Sequence, residues 1–433
     1  MDFLASDALR GRGSATADEL VAAQYIASQL MQYGIEPLGD NHTFLQRVPL
    51  VRRSFVIPPQ LRFTADSEEV TWKHGLNFLA LHVGQAELSA PLQKLQLGTG
   101  PLNVQKGAFV FLTASPDHER PDEDDARSVL RSGAAAAILP PRSYHRKRWQ
   151  ETGEQLYAGR LELANPAGTD ANDKSTILML DDDAAKKMSA VPDGTAIRLI
   201  SPMDKPQMAA TWNVIGELKS RSGTDNDAVL LSAHLDHLGI GAPINGDNIY
   251  NGADDDASGT TAVLELARVL SRGQRPRRTV VFALFGSEEL GDLGSEYFLQ
   301  HARLPIDNIA ANLNFEMIGR PDAAVGEDTL WMTGWSRSDL GPELAAHGAK
   351  LVGDPHPEQH FFRRSDNYPL AEQGVVAQTI SSFGLHPDYH QPSDDLDHID
   401  FEHMDDAIGS LIKPVVWLVN SNFTPQWIDG GQP

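Results

Sequence analysis

From about Trp212 onward, short continuous apolar runs alternate with stretches of helical spacing, and that pattern leaves few architectures open. The runs Ala228–Ala233 (AVLLSA) and Thr279–Phe285 (TVVFALF) offer no polar face, which suits strands buried on both sides. Ala311–Phe315 and Val375–Ser381 read as two more strands. Thr261–Leu270, ending near Gly273, and Phe401–Val419 read as helices. Strands alternating with helices predict an α/β fold with a mostly parallel mixed sheet sandwiched by helices.

The first element is expected to be a helix. Thr16 followed by Glu19 reads as a capping box, Ala23, Ile26, Leu30 and Tyr33 follow at helical spacing, and Gly34 stops it. Between about Leu76 and Ile200 the character changes. Apolar runs such as Ala108–Thr113 alternate with Pro-, Gly- and charge-rich stretches, and the acidic Pro121–Asp125 leads into a helix-to-strand unit at Ala126–Leu139. Clustered metal-ligating residue types are missing there. The expected division is a catalytic domain made of 1–75 and 201–433, with 76–200 inserted as an accessory domain.

Charge and composition exclude several classes. The 433 residues carry a net charge of −23, which argues against nucleic acid and anionic membranes as partners. The short basic run His145–Arg148 reads as a solvated face. No apolar run approaches the ~18–20 residues that span a bilayer. With no cysteine there are no disulfides, thiolate sites or cysteine nucleophiles, so a metal site must use His, Asp and Glu. The start, MDFLASDALRGRG, shows no basic-then-apolar leader, which leaves a cytosolic location or a leader outside this sequence.

In sheets of this kind ligands bind at the carboxyl ends of the strands. His234 follows the first run directly, Glu288 and Glu289 follow the second within a few residues, and Glu316 closes the third. His nitrogen and carboxylate oxygen are zinc ligands. A pair of metals needs a bridging carboxylate, and the Asp254–Asp256 run supplies candidates on a loop before a helix. Taken singly, each has a plainer reading: a buried hydrogen-bonded histidine, a turn with a helix cap, a solvated helix start. Their joint placement at strand ends reads as a site.

Five segments then carry a resemblance: SAHLDHLG (Ser232–Gly239), NGADDDASG (Asn251–Gly259), GSEELGDLGS (Gly286–Ser295), LNFEMIGR (Leu313–Arg320) and YHQPSDDLD (Tyr389–Asp397). In this order and spacing the chain resembles the co-catalytic zinc aminopeptidases of the MH clan, which include bacterial leucyl aminopeptidases and, more distantly, glutamate carboxypeptidase and the transferrin receptor. The GRGSAT segment near the start fits too, and the insert resembles a protease-associated (PA) domain. The resemblance implies two zinc ions per chain. His234 and Glu316 would serve one, Glu289 and His390 the other, and Asp255 would bridge them. It implies Glu288 as general base, Asp236 as a hydrogen-bond partner of the His234 ring, Tyr389 as an oxyanion stabiliser, and a cis peptide at Asp255–Asp256. Many relatives carry Asp where this chain has Glu316. Asp366, in RRSDNY, matches a recurrent segment without an assignable role. His237 and His386 stand near the motifs with no ligand role by position and are expected to be structural or to line the pocket.

The implied activity is hydrolysis of peptide substrates, most simply as an aminopeptidase, with export to the periplasm or medium. The oligomeric state is not readable. A carboxypeptidase or dipeptidase of the same fold stays open, because Arg363 and Arg364 offer cations for a free carboxylate. The acylase and dipeptidase group would normally place a lid domain after the Glu-Glu pair, and only roughly 100 residues separate Glu289 from His390. A single-zinc glutaminyl cyclase is disfavoured by the complete two-metal ligand set. A non-catalytic receptor-like module would be signalled by lost ligands, and none is missing.

Overall fold

The helix expected at the start is α1 (Ala17–Gln32). The Thr16 hydroxyl accepts the Glu19 amide, but the Glu19 carboxylate reaches back one residue further than a capping box would, to the Ala15 amide at 2.8 Å. Its other oxygen accepts the Thr211 hydroxyl, so Glu19 is fully buried. Ala23, Ile26 and Leu30 face the core.

The computed structural model describes residues 1–98, 102–115, 121–142, 146, 148–164, 175–222, 227–326 and 328–433. Two compact units emerge: Met1–Pro49 with Ala210–Pro433, and Leu50–Ala209. The strands that position the site are β1 (Gln207–Leu218), β2 (Ala228–His234), β3 (Thr279–Phe285), β4 (Ile309–Phe315), β5 (Leu330–Met332), β6 (Leu351–Gly353) and β7 (Ala377–Ser381). They lie in the order β6-β5-β7-β4-β2-β3-β1. The inner strands β7, β4, β2 and β3 are mutually parallel, whereas β1 runs antiparallel to β3 and β5 antiparallel to β7. Mixed pairing is thus confined to the flanks.

Helices α2 (Gly259–Arg272), α3 (Leu293–His301), α4 (Leu340–Ala346), α5 (Asn367–Glu372) and α6 (Phe401–Asn420) complete the unit. The period-2 alternation of strands divides the core in two. Val229, Leu231 and Ala233 of β2 join Ile26 of α1, Leu266 of α2 and Leu411 of α6. Ala228 and Leu230 turn to the other face and join Phe298 of α3 and Leu370 of α5. Both faces are covered, which is why the strand sequences lack a polar side.

The second unit is a mixed sheet in the order Glu68–Lys73, Gln60–Ala65, Ala196–Ile200, Glu87–Gln96, Phe109–Thr113, Ala136–Leu139, Thr176–Leu180, Phe78–Val83. It begins well before the expected residue 76. Strand Gln60–Ala65 pairs with Ala196–Ile200, Leu61 opposite Leu199, so the hairpin it forms with Glu68–Lys73 belongs to this unit. Asp122 caps helix Glu123–Arg131 with a full capping box. Of the basic run, His145 and Lys147 lie outside the described residues, and Arg146 pairs with Asp182 at 2.7 Å.

Candidate metal centre

Because β2, β3, β4 and β7 are parallel, their carboxyl ends share one edge of the sheet. His234 is the last residue of β2, Glu316 follows β4 directly, and Glu288 and Glu289 form a short turn after β3. Tyr389 and His390 come from the segment after β7. Asp255 lies in the wound turn Ala253–Ser258 that opens α2, and its peptide to Asp256 is cis.

Asp255 stands between two histidines. Its Oδ1 lies 3.0 Å from His234 Nε2 and its Oδ2 lies 3.2 Å from His390 Nε2. Glu289 Oε2 is 3.2 Å from the same His390 nitrogen. Glu316 groups with His234 and Asp255, each offering one ligand atom within 4.8 Å of the others. A second group of this kind holds His237, Asp255 and Glu289. His237 Nδ1 lies 2.7 Å from Glu289 Oε1.

The chemistry of these donors fits a divalent cation. Buried polar atoms are nearly always hydrogen-bonded. Yet His234 Nε2, His237 Nδ1 and Nε2, Glu289 Oε1, Glu316 Oε2 and His390 Nε2 are buried without a hydrogen-bond partner. All are nitrogen or carboxylate oxygen, and zinc bonds of about 2.0–2.2 Å place neighbouring ligand atoms about 3.3–3.6 Å apart in a tetrahedron. The N···O separations of 3.0–3.2 Å around Asp255 and Glu289 are close to that.

Electrostatics point the same way. Burial raises Glu316 to about 7, with Asp255 adding to the rise and His234 opposing it. Burial also raises Glu288 well above the usual carboxylate range, and the charges of Glu316, Asp292 and Glu289 add to it. Burial lifts Asp366 to about 7, with Asp236 nearby. Two carboxylates move the other way: despite burial and Asp255, His237 and His390 hold Glu289 at about 2, and despite burial His234 and His390 hold Asp255 well below the usual carboxylate range. Carboxylates crowded at one edge repel one another, and a cation relieves that repulsion.

Asp236 does meet the His234 ring, chiefly through its main chain. The His234 ring meets the main-chain carbonyl of Asp236 at 3.2 Å, while the carboxylate lies 3.7 Å away. Its oxygens are engaged elsewhere, with the Ser14 hydroxyl and with the Glu288 amide at 3.1 Å. Asp236 therefore fixes the main chain at Glu288. Tyr389 stacks on His390, ring centroids 3.9 Å apart, and lines a recess with Glu316, Trp331, Phe361, Arg364 and Phe383. His386 pairs with Asp254 at 3.0 Å, in keeping with a structural role.

Three groups escaped the sequence reading. Asp394 accepts the amides of Asp254 and Asp255 at 2.9 and 3.0 Å, pinning the turn. Asp256 accepts the amides of Gly259 and Met317 on one oxygen. Arg12 is almost fully buried and donates to the carbonyls of Leu4, Leu235, Asn251 and Gly252. The GRGSAT motif marked that segment but not the reach of its arginine.

Comparison with known proteins now has a geometry to meet. Residues 213–414 match the model described as Peptidase family M28. Over that stretch, just under half of its length, the chain is similar to this family. The matched residues include every strand end that carries the centre. Aminopeptidase YwaD of Bacillus subtilis is 26% identical over 287 residues, which is 61% of this chain and 60% of that protein. The probable lipoprotein aminopeptidase LpqL of Mycobacterium tuberculosis is 29% identical over 219 residues, 43% of this chain and 41% of that one. The chain thus spans less than two thirds of either relative. An aminopeptidase from Aneurinibacillus sp. strain AM-1 shares the fold, with a TM-score of 0.56 at 18% identity over 98% of this chain and 93% of that one.

Proposed function

We propose that the chain is a zinc-dependent exopeptidase, an aminopeptidase that releases N-terminal residues from peptides. Two zinc ions would be held by His234, Glu316, Glu289 and His390 with Asp255 between them. One observation carries the two-ion reading: the two oxygens of Asp255 face different histidines. The aminopeptidase names of the relatives support the choice of reaction.

Bound zinc supplies Lewis-acid polarisation of the scissile carbonyl and eases deprotonation of water. The protein's own groups do the rest. Glu288 takes the proton of the attacking water on its carboxylate and returns it to the leaving amine nitrogen. Its amide is tethered to Asp236, which keeps the turn in place. Burial, with Asp255 and Glu289 close by, raises the Tyr389 pKa, so the hydroxyl stays protonated and donates to the developing oxyanion. The aromatic recess beside Glu316 receives a substrate side chain. The surplus of acid suits a free, cationic amino terminus.

Arg364 favours a second reading. It lies at the recess, its guanidinium over the Phe361 ring, where a free carboxylate would find it. A carboxypeptidase or dipeptidase uses such a group. The test is a panel of aminoacyl anilides, N-acetylated peptides and C-terminally amidated peptides, with chelator and with zinc restored. The aminopeptidase reading expects cleavage of free-amine substrates, loss with chelator, and recovery with zinc. Turnover of N-acetylated peptides alone would sink it.

We read the second unit as a PA-like insert, on the strength of its mixed sheet lying between residues 49 and 210 of one chain. An extracytoplasmic location is part of the same reading, supported by the lipoprotein name of the mycobacterial relative. Among the described residues no helix is long and apolar enough to cross a membrane.

A further inference from the structure

We propose that His237 is a further metal ligand, which gives the Glu289 half of the centre two imidazoles and leaves the Glu316 half with one. This rests on the two-ion reading above.

His237 lies three residues beyond His234 on the turn that leaves β2, and its side chain is fully buried. Its Nδ1 is 2.7 Å from Glu289 Oε1 and 3.9 Å from Asp255 Oδ2. His390 faces the same two carboxylates, and the two rings meet edge to face with centroids 5.7 Å apart. The short contact with Glu289 is not aligned as a hydrogen bond, and neither ring nitrogen of His237 has a partner. The Nε2 atoms of His234 and His390 share that condition. Close N···O pairs that do not point at each other are what lone pairs directed at a common third point produce.

The ring also has a prepared seat. The His237 amide donates to the Arg12 carbonyl at 3.1 Å, and its carbonyl accepts the Ser14 amide at 3.2 Å. Gly252 lies against the ring, and a Cβ there would come within 2.5 Å of its Cγ. The ordinary core-histidine reading fails to explain why a ring so tightly held leaves both nitrogens unsatisfied. A pure orienting role for Glu289 would call for an aligned hydrogen bond.

The consequence is asymmetry. His237, His390, Glu289 and Asp255 make four protein donors, the closed set of a structural zinc site. His234, Glu316 and Asp255 make three and leave a position for water or substrate. The Glu289-side ion is therefore the tightly held one, and the Glu316-side ion the exchangeable one.

The test is zinc binding to apoprotein, followed by chelator competition, for wild type, His237→Ala and His237→Gln. X-ray absorption on wild type loaded with two zinc ions needs no variant. The expected wild-type result is two unequal affinities and about 1.5 imidazoles per zinc, against about 1 for the five-residue set alone. His237→Ala should weaken the tighter ion by at least ~10-fold and leave the weaker one in place. Gln, which hydrogen-bonds but binds zinc poorly, should not restore it. Recovery in the Gln variant, or about one imidazole per zinc in wild type, would overturn the assignment while leaving the two-ion reading standing. Failure of the wild type to bind zinc would overturn both.

Discussion

At the scale of single residues the centre depends on a few carboxylates doing different work in one crowded space. Glu288 and Glu289 are neighbours in sequence, yet their surroundings separate them. Two histidines hold Glu289 ionised, whereas burial and three nearby acids push Glu288 upward. Glu288→Gln should keep its zinc and lose about 100-fold or more of kcat; elemental analysis beside steady-state rates checks both halves. Asp255→Ala should lower zinc from about two per chain to one or fewer, read by the same elemental analysis. An unchanged stoichiometry would remove Asp255 from between the ions.

Among elements, what matters is how segments far apart in sequence are tied beneath the centre. Strand ends deliver His234, Glu288, Glu289 and Glu316 by topology alone. The turn bearing Asp255 has no such support and is held from outside, by Asp394 on its amides and Arg12 on the carbonyls of Asn251 and Gly252. Arg12 also holds Leu235, between His234 and His237. Arg12→Met keeps much of the volume but strands these carbonyls. It should cost about 3 kcal/mol, measured as a lower urea midpoint at unchanged slope for the transition of the first unit. Zinc affinity should fall with it, since both ligand-bearing turns lose the same anchor.

For the whole molecule, the two units respond to different perturbations. The candidate centre lies within the first unit, while the second carries a pH-sensitive contact of its own. His74 accepts the Ala80 amide at Nδ1, 3.0 Å, and its Nε2 donates to the Gly153 carbonyl at 2.8 Å. Burial lowers its pKa, with the Gly153 bond opposing. Protonation would set an N–H against the Ala80 N–H. The folded pKa lies below the unfolded value of about 6.5, so the unfolded chain takes the proton first. The stabilisation is complete above that pH and is lost as pH falls from there through the folded pKa. Urea midpoints of the second unit between pH 8 and 5 should therefore fall on the acid side. His74→Gln, which can accept and donate without titrating, should flatten the fall. An equal slope in both proteins would exclude His74 as its source.

The apolar runs by themselves determined a parallel, doubly covered sheet, because a strand with no polar face has nowhere to lie but inside. Strand direction then determined that His234, Glu288, Glu289 and Glu316 share an edge, and the resemblance to zinc aminopeptidases brought in Asp255 and His390. Only the tertiary structure decided the remainder. It bonded the Asp236 carbonyl to the His234 ring and its carboxylate to the Glu288 amide, drew the hairpin of residues 60–73 into the second unit, and set His237 against Glu289. Those outcomes depend on main-chain carbonyls and amides, which every residue carries alike, and on partners as much as 240 positions apart. Side-chain identity announces a donor or a ligand; which backbone group or carboxylate it meets is fixed only when the chain has packed.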